Sequence, residues 1–150
     1  MVSWRDFESD APDMAEQVRA AFAVRKHCTL ATLRRDGAPR ISGTEVEFDG
    51  GDVFLGMMAG SMKLRDVLGD PRVAVHSPTV DPESETQWMG EAKFSGRAQP
   101  VATPEGYPAG GGRFRIELTS VVFTGLSEDA QALRIQLWRP DIGRETMLRG

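Results

Sequence analysis

Short segments in which apolar positions cluster or alternate with polar ones recur along most of the chain, as is typical of β-strands. The predicted strands are residues 28–33, 40–48, 53–58, 73–77, 88–98, 114–123 and 133–138. Few of the connections between them are long enough for a crossover helix, so the strands are expected to pair antiparallel. The pattern therefore predicts a mostly β protein that closes into a barrel of about six or seven antiparallel strands with flanking helices.

One segment before the first strand follows the period of a helix instead. Met14, Val18 and Phe22 recur at helical spacing and form one apolar stripe. Asp10 precedes this stripe as a candidate N-cap, and the helix is expected to end near residues 25–26. The stripe predicts a helix that docks on the barrel.

A second helix is predicted after the small and flexible sequence Ala59-Gly60-Ser61. Residues 62–68 have helical character, with Leu64, Val67 and Leu68 at the spacing of core positions. Asp70-Pro71 then ends the helix, because the residue before a proline avoids helical backbone angles.

Glycines punctuate the predicted strands. Asp36-Gly37 is typical of a tight hairpin between the first two strands. Gly43 interrupts the second strand, and a glycine inside a strand marks either a bulge or a place where a ligand approaches the backbone.

Length and composition describe an ordinary globular domain. The 150 residues favour a single domain over 1–150, with 40% hydrophobic and 27% charged residues. No apolar run reaches the roughly 20 residues that cross a bilayer, and no export signal is visible at the N-terminus, so we expect a cytoplasmic protein without membrane contact. The net charge of −4 argues against nucleic acid as a partner. The single Cys28 is expected to pack as a small apolar residue.

The turn before the second helix is the clearest candidate for chemistry. The chain has no serine nucleophile elbow, zinc-spaced Cys/His cluster, Walker loop or dinucleotide-binding glycine motif. At this turn, Ser61 and the amides of Met62 and Lys63 lie where a helix begins, and free N–H groups and the helix dipole favour an anion there. Lys63 adds a full positive charge.

The motifs around this turn resemble those of the pyridoxamine 5′-phosphate oxidase-like split-barrel family of flavin-binding proteins. The matching motifs are Leu30 to Leu33, Asp36 to Pro39, Val53 to Leu55, Gly60 to Lys63 and Asp70 to Ala74, in that order. The resemblance continues more loosely through residues 114–122 and Trp138-Arg139-Pro140. It implies a split barrel that binds a flavin-type cofactor, and a homodimer whose two cofactor clefts lie between subunits.

Carried over position by position, the resemblance also implies a cofactor site. Ser61 and Lys63 would hold the cofactor phosphate, and three segments would supply the rest of the cleft. Those segments are Ser42, Gly43 and Thr44 along the ring system, Gly56, Met57 and Met58 at the ribityl chain, and Trp138 with Arg139 from the partner subunit.

Two departures from the family pattern limit what it implies. Met62 stands where an arginine often lies between the serine and the lysine, so either the affinity for the cofactor phosphate is lower or another arginine, such as Arg40 or Arg65, compensates. The C-terminal Arg-Leu-His-type signature of the vitamin-forming oxidase is absent, which disfavours true pyridoxamine 5′-phosphate oxidation.

The resemblance leaves the cofactor and the activity open. FMN and the deazaflavin coenzyme F-420 share a tricyclic ring and a phosphate chain, so residue types do not separate them. An oxidoreductase would pass hydride between the cofactor and a small planar or conjugated substrate next to Met57, Met58 and the partner's Trp138. The alternatives are a flavin-binding carrier or redox sensor without turnover, and a haem-binding split barrel, for which His27 and His76 are the only histidines.

Overall fold

A computed structural model describes residues 2–150, and over this range the chain forms three helices and nine strands. The helices are α1 (Trp4–Asp10), α2 (Pro12–Ala23) and α3 (Met62–Gly69). The strands are β1 (Cys28–Leu33), β2 (Pro39–Thr44), β3 (Val46–Asp49), β4 (Asp52–Met57), β5 (Arg72–His76), β6 (Glu91–Val101), β7 (Gly112–Leu126), β8 (Leu133–Arg139) and β9 (Gly143–Arg149). The prediction of a mostly β protein with flanking helices is confirmed.

The strands form one antiparallel sheet that closes on itself. Its order is β2-β1-β5-β6-β7-β4-β3. The two ends of this path are consecutive in sequence, because only Glu45 separates β2 from β3. Chain continuity therefore closes the path, and the core lies inside the resulting barrel.

The long strand β7 carries two different partners on one of its edges. Residues 112–115 pair with β4, and residues 121–126 pair with β8, while β6 runs along the other edge. The sheet splits where β4 ends and β8 begins. The hairpin of β8 and β9 thus leaves the barrel path as a separate ribbon.

Helices α1 and α2 cover one end of the core with aromatic side chains. The Trp4 and Phe48 rings lie 4.7 Å apart, and Phe22 lies 5.4 Å from Phe94, between centroids. The predicted stripe of Met14, Val18 and Phe22 is buried as expected. Aromatic pairs at these separations stabilise by about 0.5–1.5 kcal/mol beyond their burial.

The strand count differs from the prediction at two places. The predicted strand over 40–48 is divided at Glu45, although its alternation survives, with Val46 and Phe48 half-buried and Glu45 and Glu47 exposed. Strand β9 was not predicted, because its side chains are almost all exposed and its two apolar residues, Met147 and Leu148, are adjacent and so form no apolar face. Its backbone hydrogen bonds to β8 hold it in the sheet.

The helices also differ from the prediction. Ser3 caps α1 in a reciprocal arrangement with Asp6, whereas Ala11 occupies the N-cap position of α2, so the assignment of Asp10 as its cap was wrong. Asp10 instead accepts a hydrogen bond from the Trp138 indole at 2.7 Å. In α3, Leu64 is buried as predicted, but Leu68 is exposed.

Two further expectations concern Cys28 and the membrane. Cys28 is buried, and burial raises the pKa of its thiol to about 11. The thiol therefore packs as a small apolar group. Among the described residues, no helix is both long and apolar enough to cross a bilayer.

We predict that Gly96→Ala destabilises the barrel. The register of β6 against β7 shifts between Ser95 and Gly96, and a Cβ at Gly96 would collide with the backbone oxygen of Glu117 and lie 2.7 Å from Ile116 Cγ2. A cost of about 1 to 3 kcal/mol is expected for such overpacking. Urea unfolding measures it, with Gly125→Ala as the control because its Cβ would meet Phe123 only at 3.6 Å. Equal stability of the two variants would show that the bulge is not tightly packed.

Candidate functional site

The turn between β4 and α3 is built as an open helix N-terminus. The Ser61 amide donates to the Met58 carbonyl at 3.1 Å, which folds the chain back after β4. Ser61 Oγ then caps the helix by accepting from the Leu64 amide at 3.3 Å. The first N–H groups of a helix have no partner within it, so the amides of Met62 and Lys63 remain at its open end. We refer to residues 58–63 as the phosphate turn.

A hydrogen bond joins the phosphate turn to strand β2. Lys63 Nζ donates to the Gly43 carbonyl at 2.7 Å, across twenty positions of sequence. An ammonium group has three donors, so this bond leaves two for a ligand. The structure therefore brings the predicted phosphate residue Lys63 together with one of the three segments that the resemblance implied, residues 42–44.

The three predicted residues of β2 lie in different environments. Ser42 is half-buried and Gly43 is exposed, and a Cβ at Gly43 would meet nothing within 4 Å. Thr44 is buried, and its carbonyl accepts from Cys28 Sγ at 3.4 Å. Open space for a ligand thus lies beside Gly43 rather than beside the Thr44 side chain.

The end of β4 places one methionine inside the barrel and one outside. Met57 is buried in the core, so its side chain does not border a cleft as the sequence suggested. Met58 is 78% exposed next to the phosphate turn. Gly56 is exposed but closely covered, because a Cβ there would lie 2.7 Å from the Tyr107 hydroxyl, which donates to the Gly112 carbonyl at 3.0 Å.

A buried carboxylate fixes an arginine next to the phosphate turn. Asp66 Oδ2 accepts from Arg40 Nε and from Thr32 Oγ1, both at 2.7 Å. Burial alone would raise the pKa of Asp66, but these two hydrogen bonds and the Arg40 charge outweigh it and lower the pKa below its usual value. Asp66 therefore remains ionised at neutral pH and holds the Arg40 guanidinium in one orientation.

Arg40 faces a basic cavity of about 820 Å³ between the β1–β2 hairpin and α3. We call it the arginine cavity, because five of its lining residues are arginines. Its charged lining comprises Arg34, Arg35, Arg40, Arg65, Arg72, Asp36, Asp66 and Asp70, and Met62 contributes an apolar wall. An anion is the ligand that such a lining favours.

Trp138 and Arg139 lie apart from these contacts. Trp138 is only 3% exposed, and its ring packs 5.0 Å from the Phe7 ring while its indole donates to Asp10. This position leaves little surface for the cofactor of a second subunit, so the expectation that Trp138 reaches the partner's cofactor finds no support in its burial. Arg139 is half-buried and pairs with Glu145 at 3.8 Å.

Sequence reasoning missed three parts of this site. The fixation of Arg40 by Asp66 joins residues 26 positions apart, which no local pattern reveals. Tyr107 lies in a glycine-rich loop that carried no motif. Arg34 and Arg35 were visible as a basic pair at the hairpin tip, and their position across from α3 follows only from the fold.

Solved structures with the same fold include an FMN-binding protein, an F420 reductase and a haem-binding protein. An FMN-binding protein related to pyridoxamine 5′-phosphate oxidase, from Nostoc punctiforme PCC 73102, has 9% identity and a TM-score of 0.62, with 93% of this chain and 95% of that chain covered. An F420 reductase has 17% identity and a TM-score of 0.53, covering 69% and 94%. A haem-binding protein from Mycobacterium smegmatis has 16% identity and a TM-score of 0.65, covering 84% and 57%, so this chain spans little more than half of its length.

The sequence itself identifies the family. No curated protein shows significant similarity to the chain. The family model of pyridoxamine 5′-phosphate oxidase, however, matches residues 14–122, which span α2 through most of β7 and include the phosphate turn. With this match and the split barrel, the chain belongs to the pyridoxamine 5′-phosphate oxidase-like family.

Proposed function

We propose that this protein binds a flavin-type cofactor, either FMN or the deazaflavin coenzyme F-420, and uses it to reduce a small planar or conjugated substrate. The observation that carries the proposal is the hydrogen bond from Lys63 to the Gly43 carbonyl. It joins the turn suited to a phosphate with the strand expected to line the cofactor ring. A single ligand with both a phosphate and a ring would span the two.

The donors around the phosphate turn fit a phosphate group. Ser61 retains its hydroxyl proton while its oxygen caps the helix, and Lys63 retains two N–H groups. Arg40 bonds Asp66 through Nε, which leaves its terminal nitrogens for the ligand. Arg40 would thus supply the guanidinium that is absent at position 62, which is one of the two alternatives that the sequence left open.

The comparisons support this class of cofactor without separating its members. One structural neighbour is described as FMN-binding and another as an F420 reductase. Identities below one fifth carry the fold alone, so the choice of cofactor here depends on this chain's own residues.

The protein's share of the reaction is binding and orientation. The bound cofactor would supply the hydride chemistry, which requires no nucleophilic side chain. Ser61, Lys63 and Arg40 would fix the phosphate, and the open backbone at Gly43 would let the ring lie close to β2. Met58, exposed at the end of β4, offers apolar surface on which a flat substrate can pack.

Haem binding, the function of another neighbour, finds no support in the histidines. The His27 side chain is exposed and lies 3.5 Å from Glu45. His76 Nδ1 lies 2.7 Å from the Ser77 carbonyl, and neither histidine lines the arginine cavity.

A carrier or redox sensor would have the same phosphate site as a reductase, and it differs in not passing hydride to an acceptor.

We predict that Lys63→Ala weakens cofactor binding by about 1.5 to 3 kcal/mol, the cost of one charge-assisted hydrogen bond to phosphate. Fluorescence titration with FMN and with F-420 measures the change. Lys93→Ala is the matched control, because Lys93 is exposed on β6 and should leave the affinity unchanged. Equal affinity of the Lys63 variant and the wild type would place the phosphate elsewhere.

A second prediction concerns position 62, where this chain has methionine and the family often has arginine. Arg40→Gln should weaken FMN binding by about 1 to 2 kcal/mol, and adding Met62→Arg should restore part of this loss, because both positions line one cavity. Titration of the single and double variants, with thermal melts to confirm folding, checks the rescue. Failure of Met62→Arg to tighten binding in either background would contradict this arrangement.

The proposed site also includes a second subunit. Ile41 and Met58 are 75% and 78% exposed near the phosphate turn, and exposed apolar side chains on a binding face commonly mark an interface. We expect sedimentation at twice the chain mass of 16.4 kDa, and a shift towards monomer for Ile41→Glu. A monomeric wild type at micromolar concentration would contradict the dimer.

A further inference from the structure

We propose that strand β9 is an interaction surface for a second copy of this chain, and that two copies pair antiparallel along it. Within residues 2–150, β9 pairs only with β8, so the backbone N–H and C=O groups of its other edge face outward. Such an edge is a template for one more strand. β9 contributes no residue to the phosphate turn or to the arginine cavity, so this contact is separate from the proposed cofactor site.

Two-fold symmetry limits the registers that this pairing can take. A two-fold axis perpendicular to the sheet pairs the strands antiparallel and keeps each side chain on its own face. Because successive residues alternate between the faces, the axis cannot fall between two residues. One residue therefore lies opposite its own copy, and residues equally far before and after it oppose each other.

The charges of β9 select the register that is centred on Met147. In this register, Glu145 of each copy opposes Arg149 of the other, so the contact contains two pairs of opposite charge. Centring on Thr146 opposes Glu145 to Met147. Centring on Leu148 opposes Arg149 to Met147, and centring on Glu145 opposes two carboxylates. Opposite charges across a strand pair stabilise it and like charges destabilise it, so the register centred on Met147 is favoured.

Both charged groups of this register are available to a second copy. Arg149 forms no ion pair within the described residues 2–150. Glu145 lies 3.8 Å from Arg139, but both side chains are about half exposed, and exposed pairs of this kind contribute little. A carboxylate also accepts more hydrogen bonds than one arginine supplies at that distance. The neighbouring Arg144 is engaged elsewhere, because it pairs with Asp13 of α2 at 2.7 Å.

The same register covers the two apolar residues of β9. Met147 and Leu148 are 41% and 64% exposed, and as neighbours in a strand they lie on opposite faces. Met147 meets its own copy at the axis and lies beside Ile135, its partner on β8. Ile135 and Met147 of both copies then form one apolar row across the contact. Leu148 opposes Thr146 of the other copy. Because the pairing occupies the free edge of β9 in both copies, it closes at two copies.

A contact of one strand from each copy is small, and interfaces below about 1,200 Å² are typical of weak association. The dimers expected at micromolar concentration should therefore associate further only as the concentration rises well above that range. The limit of this association is four times the chain mass of 16.4 kDa.

Cysteine cross-linking tests the register. The one native cysteine, Cys28, is buried and does not interfere. Directly opposed Cα atoms of an antiparallel pair lie about 4.5 to 5.5 Å apart, which a disulfide can span. Met147→Cys should therefore form covalent dimers with oxidised glutathione at high protein concentration. Thr146→Cys is the matched control, because in this register its own copy lies diagonally, at about 7 to 8 Å and beyond the reach of a disulfide.

Charge reversal tests the same pairing without a covalent bond. Glu145→Arg should abolish association beyond the dimer in sedimentation at high concentration, because it places like charges across the contact. Adding Arg149→Glu should restore the association, since the double variant only exchanges the two charges. Glu16→Arg makes the same change of charge at an exposed position of α2 and should leave association unchanged.

The interface near the phosphate turn is removed by Ile41→Glu, so this background separates the two contacts. Met147→Cys should still form covalent dimers there, with thermal melts to confirm folding. Cross-linking of Thr146→Cys as fast as that of Met147→Cys overturns the inference. Association that survives Glu145→Arg, or that Arg149→Glu does not restore, overturns it as well, and so does a wild type that shows no association beyond the dimer at any concentration.

Discussion

The architecture depends on the pairing of strand β7 with two strands along one edge. Because β4 takes its first residues and β8 takes its last, the sheet has to split, and the barrel path turns back through β4 to β3. The continuity of β3 with β2 then closes the barrel. This closure brings the end of β4, the phosphate turn and β2 to one place, so a hydrogen bond from Lys63 to the Gly43 carbonyl becomes possible. The candidate site is thus a consequence of how the sheet divides.

The local charge at this site is positive, whereas the net charge of the chain is negative. A carboxylate as buried as Asp66 costs stability unless it is paired, and Arg40 and Thr32 supply the pairing. The same contacts hold a guanidinium toward the arginine cavity. An acidic protein therefore presents a local basic surface that begins at the phosphate turn and extends to the hairpin tip. In the proposed site this buried ion pair would also orient a ligand-binding guanidinium, a role that the core alone does not require.

The local hydrophobic pattern predicted the helices and strands that have a clear apolar face. It failed for elements that strand pairing or long-range contacts stabilise. The stripe of α2 and the strand at 28–33 follow from periodicity alone. Strand β9 has no apolar face, so only its ladder with β8 reveals it. Helix α1 has seven residues, too few for a period to be evident, and the aromatic contacts of Trp4 with distant strands stabilise it. The site divides in the same way: the phosphate turn is local and was predicted, whereas the partners of Arg40 and the burial of Trp138 come from the fold.

The central claim is that a cofactor phosphate lies at the start of α3, and a crystal structure of the protein with bound FMN or F-420 tests it most directly. The account predicts phosphate oxygens within hydrogen-bond distance of Ser61 Oγ and Lys63 Nζ, with the ring system lying along β2 beside Gly43. A cofactor bound elsewhere, for example in the clefts beside Trp88, would contradict the account.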